Sequence, residues 1–265
     1  MENYNQEINL ARKLAVDAGN AVLPIYYGAM DVSLKADNTP VTNADILANR
    51  LIQDGIQHTF PRDGVVSEEL ESIAGERCWY VDPIDGTRGF VEHTDQFAVH
   101  IGLAVDGQAV LGVVYKPVAR EIYYAVRGQG AYRLSPLGQA HELRVQEHSS
   151  LVAAIDKRDA AGTLYRRIEQ ELGIERTIIS GSEGLRIMKV AEGIADTHFT
   201  VNPTACSTWD VCAPLAIAAE AGAYSFFSDG TPIVYCGQKK LGNTFVVANT
   251  RDLAEKVSRF LQREN

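Results

Sequence analysis

Between residues 8 and 23, Ile8, Ala11, Leu14, Ala15, Ala18 and Val22 recur at the three- and four-residue spacing of one helical face. The turn-rich stretch YYGAMDVSLKADNTPVT interrupts that pattern. Ile46, Leu47, Leu51, Ile52 and Ile56 then mark a second helix starting near Thr42. From residue 64 the period changes. GVVS and CWYVD are short apolar runs, and FAVHIGLAV, AVLGVVYKP and EIYYAV are longer strands, with Asp106-Gly107 as a hairpin turn. Past residue 149 strands and helices alternate. LVAAI, RTIIS and FVVAN read as strands, and residues 159–172, 182–193, 209–222 and 252–262 as helices.

Strands that cluster first and alternate with helices later predict an α/β (α+β) chain of two packed subdomains, residues 1–148 and 149–265, with a cleft between them. A hydrophobic share of 46% with 22% charged residues over 265 positions fits a soluble globular protein with a substantial core. The net charge of −9 argues against partners that are nucleic acid polymers or anionic membranes. The N-terminal MENYNQEINLARKL is too polar for a signal peptide, and no run of 18 apolar residues occurs. Cys78, Cys206, Cys212 and Cys236 show no CxxC spacing, so they read as free or buried thiols of a reducing compartment, and the expected location is cytoplasmic.

The acids change the picture. In VDPIDGTRGF, Asp82 ends a buried strand, Pro83 stiffens the link to Asp85, and Gly86 permits a sharp turn. Two carboxylates that close repel unless one protonates. A hard divalent cation resolves the conflict, with the Ile84 carbonyl as a further ligand. The plainer alternative is a turn in which Asp85 caps the backbone that follows. Glu68 and Glu69 end another strand and alone suit a solvated corner. Asp210 follows Trp209 at a helix start, where the helix dipole favours an acid, and Asp45 stands three residues after Thr42 as in a capping box.

Taken in order, PVTNAD, SEE, WYVDPIDGTRGF and WDVCAPLAIAAEAGA resemble the motifs of the inositol monophosphatase superfamily of Mg²⁺-dependent, lithium-sensitive phosphatases, over roughly residues 8 to 250. SEE, DGTRGF, FAVHIGLAVDG and GVVYKPV look most like its 3′(2′),5′-bisphosphate nucleotidase branch, of the CysQ type, which serves sulfate assimilation. The resemblance implies a layered α-β-α-β-α sandwich with the active site at the cleft. It implies Mg²⁺ as cofactor. Glu68, Asp82 and the Ile84 carbonyl would hold one ion, Asp82, Asp85 and Asp210 a second, and a third, weaker one would sit near Glu68. Thr87 and Asp45 would orient an attacking water and take its proton, and the Gly86 and Thr87 N–H groups would bind phosphate oxygens.

In SGSEGLRIMKVAEG the resemblance makes Gly181, Ser182 and Arg186 substrate contacts, Arg186 being otherwise a surface arginine on a helix. Pro203 stands where inositol monophosphatases carry a Glu, which argues against inositol as the preferred substrate. IDKRD replaces the Ser-Arg-Ser-His of many nucleotidases, leaving Lys157 or Arg158 to substitute. His100, inside an apolar strand, reads as a core side chain. The expected partner is a small phosphorylated substrate, a nucleotide bisphosphate, and relatives imply a homodimer. The competing functions are an inositol, histidinol or sugar phosphate phosphatase and a non-catalytic metal-binding scaffold.

Overall fold

The computed structural model describes residues 3–35, 39–202 and 206–264. Helices α1 (Asn5–Tyr26) and α2 (Asn43–Thr59) pack side by side, joined through a hairpin of β1 (Val32–Leu34) and β2 (Pro40–Thr42). A seven-stranded sheet follows in chain order: β3 (Gly64–Ser67), β4 (Cys78–Asp85), then, after the short helix α3 (Thr87–Val91), β5 (Ala98–Val105), β6 (Gln108–Lys116), β7 (Glu121–Val126), β8 (Ala131–Leu134) and β9 (Ala140–Glu142). Its strands are antiparallel except for the parallel pair β3 and β4. The rest of the chain runs β10 (Leu151–Ile155), α4 (Lys157–Ala160), α5 (Thr163–Leu172), β11 (Ile174–Ile179), α6 (Glu183–Ala191), β12 (Thr197–Phe199), α7 (Thr208–Glu220), β13 (Tyr224–Phe227), β14 (Phe245–Ala248) and α8 (Arg251–Glu264). Five of these strands form the second sheet in the order β11-β10-β12-β14-β13, with β10 parallel to both its neighbours.

The layers are α-β-α-β-α. One core lies between α1/α2 and the large sheet, a second between the two sheets around α6 and α7, and a third between the small sheet and α5/α8. A helix pressed between two sheets has no solvent face to keep polar, which is why α7 is apolar nearly all round and why Val211 through Ala218 are buried. Its approach to the large sheet depends on two glycines. A Cβ on Gly112 would stand 2.2 Å from the Ala213 carbonyl oxygen, and one on Gly102 would stand 2.8 Å from the Ala213 nitrogen. This close docking brings the start of α7, and with it Asp210, to the end of β4.

The helix expected over 159–172 is two helices, because Gly162 takes an extended conformation (φ −75°, ψ 155°) and starts α5 afresh. Strands β1, β2, β8, β9, β12 and β13 escaped the hydropathy pattern. β1 and β9 are exposed throughout and β12 is buried throughout, so none of these three alternates.

Candidate active site

A bulge shapes the centre of the site. On the β4–β5 ladder Asp82 faces His100 and Asp85 faces Ala98, so one extra residue is taken up between the two aspartates. His100 and Ala98 lie on one face of the pleat, and the bulge therefore puts both aspartates there too. Both are buried, Asp82 at 1% exposure and Asp85 at 6%. Asp82 Oδ1 accepts the Ile84 N–H at 3.0 Å. Asp85 reaches into the other half of the chain, where its Oδ1 accepts the Glu183 N–H at 3.1 Å and its Oδ2 the Gly184 N–H at 2.8 Å, and where the Ser182 hydroxyl also donates to it. The start of α6 is thus the seat of Asp85. Asp85 does not cap the backbone that follows it: α3 has no side-chain cap, and the backbone Asp85 binds lies about 100 positions away at the start of α6.

Asp45 also holds both of the roles open to it. Its Oδ2 accepts the Thr42 N–H at 2.7 Å, closing a capping box at the start of α2, and this fixes the carboxylate so that Oδ1 accepts the Thr87 hydroxyl at 3.2 Å. The same hydroxyl stands 3.2 Å from the Ile84 carbonyl oxygen. Burial pushes the Asp45 carboxyl above its usual range, against the pull of Thr42, Lys35 and Thr87. Gly86, between Ile84–Asp85 and Thr87, sits at φ 91°, and a Cβ there would come within 2.5 Å of the Gln96 carbonyl oxygen.

Glu68 and Glu69 are not a solvated corner. Lys35, from the hairpin, donates to Glu68 at 2.6 Å and to Glu69 at 2.5 Å, and the Glu69 N–H is held by Asn49 of α2 at 3.2 Å. Burial and then Glu68 push Glu69 up to about 7. Asp210 repeats the capping design at α7, accepting the Ser207 N–H at 2.6 Å. The acids act together on Asp82: burial, then Glu68, Asp85 and Asp210, drive its carboxyl well above its ordinary range. Asp210 is raised by burial and by Glu68 and Asp85 in the same way.

Among the described residues no three of these side chains close on one point as a finished metal cage. Their oxygens are turned instead toward Lys35, Ser182, Ser207 and nearby main-chain N–H groups. The donor set still fits a hard divalent cation. It is all oxygen, largely buried, and crowded with carboxyls that burial and then mutual repulsion hold above their usual range. A cavity of about 550 Å³ lined by Ile73, Glu76, Cys78, Asp106, Tyr235 and Cys236 lies at the opposite end of β4 from these acids.

On the substrate side the Gly181 N–H is bound to Gln96 Oε1 at 2.8 Å, and Ser182 is engaged with Asp85. Arg186 is no surface residue. It is 5% exposed, donates to the Ser180 carbonyl at 2.6 Å and to Glu183, and stands 3.5 Å from Asp156. Lys157 and Arg158 are exposed at the end of β10, beside the Ser180 N–H that binds the Ile155 carbonyl oxygen. Pro203 lies outside the described residues. Sequence reasoning missed Lys35 and Asn49 as partners of the acids, and it treated His100 as ordinary core.

The inositol monophosphatase family matches the chain over residues 3–264. The 3′(2′),5′-bisphosphate nucleotidase CysQ of Escherichia coli O157:H7 is 37% identical over 238 residues, 87% of this chain and 94% of that protein. The histidinol-phosphatase of Chlorobaculum parvum is 33% identical over 237 residues, 88% of this chain and 90% of that protein. Among solved structures, the Thermotoga maritima IMPase superposes with a TM-score of 0.83 at 29% identity, covering 98% of this chain and 99% of that one.

Proposed function

The chain belongs to the inositol monophosphatase family of phosphoric monoester hydrolases, and from that premise we propose that it hydrolyses 3′-phosphoadenosine 5′-phosphate, or a close 3′(2′),5′-bisphosphate nucleotide, to the 5′-monophosphate and phosphate. Glu68, Asp82 and the Ile84 carbonyl would hold one Mg²⁺, and Asp82, Asp85 and Asp210 a second, with a weaker third near Glu68. Bound Mg²⁺ lowers the pKa of the attacking water and offsets charge on the attacking and leaving oxygens.

The chain's own groups do the rest. Thr87 Oγ1 donates to Asp45 Oδ1, which leaves the hydroxyl lone pairs to orient a water, and Asp45 is the base at the end of that relay. A carboxyl raised by burial is better matched to this task than one at its usual value. The main-chain N–H groups of Gly86 and Thr87 bind phosphate oxygens, and the Gly181–Ser182 turn forms the floor under the nucleoside. Lys157 and Arg158 meet the second phosphate. Arg186, beneath them, braces the turn from inside.

One observation carries the chemistry: Thr87, on the same short turn as Asp82 and Asp85, is hydrogen-bonded to Asp45 at the start of α2. The similarity to the nucleotidase supports the substrate. The similarity to a histidinol-phosphatase supports a second reading, a small alcohol phosphate as substrate. Phosphate release from the bisphosphonucleotide, inositol 1-phosphate and histidinol phosphate, with Mg²⁺ and with chelator, separates the two. We expect kcat/KM for the nucleotide to exceed the others by at least about tenfold, the ratio that one charged hydrogen bond of about 1.4 kcal/mol supplies. Equal or lower turnover of the nucleotide rejects the assignment.

A further inference from the structure

His100 is fully buried at 0% exposure, and neither ring nitrogen has a partner in hydrogen-bond geometry. A buried donor left without a partner is destabilising, so a histidine in an otherwise apolar strand calls for an account. Its surroundings supply one. Nε2 lies 3.3 Å from Asp85 Oδ2. The ring edge fills the hollow over α6 that a glycine leaves: a Cβ on Gly184 would stand 2.3 Å from both Cε1 and Nε2. Burial holds the imidazole below its ordinary range, while the Asp85 carboxylate and the Asp210 main chain pull the other way. His100 also faces Asp82 across the β4–β5 ladder. One ring therefore lies against the carboxylate of Asp85, against the start of the helix that seats it and, across the ladder, opposite Asp82.

We propose that His100 is a positioning residue for the cation site, its Nε2 edge set against Asp85 and its ring fixing the spacing between that carboxylate and the start of α6. This rests on the metal reading given above. A carboxylate ligand oriented from behind by a second side chain keeps its aim, and loss of such a partner typically lowers metal affinity about 10–100-fold. The role needs a donor at the Nε2 position and a side chain that fills the space over Gly184.

The test is Mn²⁺ binding to the purified full chain, followed by the electron paramagnetic resonance signal of the free ion, so that no turnover is needed. The variants are His100→Leu, His100→Gln, whose Nε2 reaches about as far as that of the ring, and Asp85→Asn. We expect His100→Leu to weaken Mn²⁺ binding by about 10–100-fold, His100→Gln to recover most of that loss, and Asp85→Asn to lose at least as much as His100→Leu. Wild-type affinity in Asp85→Asn rejects the cation site itself. Loss in Asp85→Asn with wild-type affinity in His100→Leu rejects the positioning role alone, as does an equal loss in Leu and Gln. If His100→Leu does not fold, His100→Met replaces it in the comparison. Failure of both apolar variants to fold makes the ring a requirement of the fold and also overturns the proposal.

Discussion

On the β4 side of Asp85, the carboxyls of Glu68, Asp82 and Asp210 crowd together with Lys35 at their rim; on the α6 side, Glu183 and Asp156 face Arg186 and His198. Both clusters are largely buried, yet Asp82 and Glu183 move in opposite directions. Burial and mutual repulsion raise Asp82 and Asp210 well above the carboxylate range. Burial acts on Glu183 as well, but Arg186 and His198 outweigh it and hold that carboxyl low. A buried acid paired with a buried cation is costly to unpair, whereas buried acids that repel one another mark a place built to receive something. Asp85 sits between the two clusters and is held by the Ser182 hydroxyl and the Glu183 and Gly184 N–H groups, not by the paired charges themselves.

The sharpest way to break this contrast is to neutralise one acid on each side. Asp82→Asn should lower Mg²⁺-dependent phosphate release by at least about 10³-fold, since several kcal/mol of charge stabilisation pass through that carboxylate. Its thermal midpoint should hold or rise, because a repulsion is removed; a large drop in the midpoint would count against the reading. Arg186→Met should do the reverse, costing about 3–5 kcal/mol of stability in a denaturant titration because Glu183 keeps only His198 as a partner. The folded fraction should retain most of its turnover. Thr42→Ala should cost about 1 kcal/mol through loss of the cap, and it should also slow turnover, since Thr42 fixes the carboxylate that binds Thr87. Unchanged turnover would separate the cap from the chemistry. The most selective effect is expected from Lys157→Ala: a KM about tenfold higher for the bisphosphonucleotide, equivalent to about 1.4 kcal/mol, with turnover of a monophosphate unchanged.

The legible parts of the molecule are those with local signals. Thr42 to Asp45 and Ser207 to Asp210 each carry their capping geometry in a three-residue spacing, and the bulge at Asp82–Asp85 is foreshadowed by Pro83 and Gly86. The five-layer sandwich followed from motif resemblance, and the main strands from their apolar runs. Lys35 was hidden because its hairpin has three-residue strands, and its partners Glu68 and Glu69 lie more than thirty positions away. Arg186 looked like a surface or substrate-facing side chain because α6 has an ordinary mix of residues, yet the helix is buried between two sheets and its charges pair inward. His100 looked like core because its strand neighbours are apolar; only the fold brings Asp85 and Gly184 against its ring.

Calorimetric titration of Mg²⁺ into chelator-treated protein tests the central claim most directly. Saturable uptake at millimolar Mg²⁺ or below, lost in Asp82→Asn and kept in Arg186→Met, is the result expected of an unmatched acid cluster that receives a cation. No uptake by the wild-type chain, or equal uptake by Asp82→Asn, would contradict it.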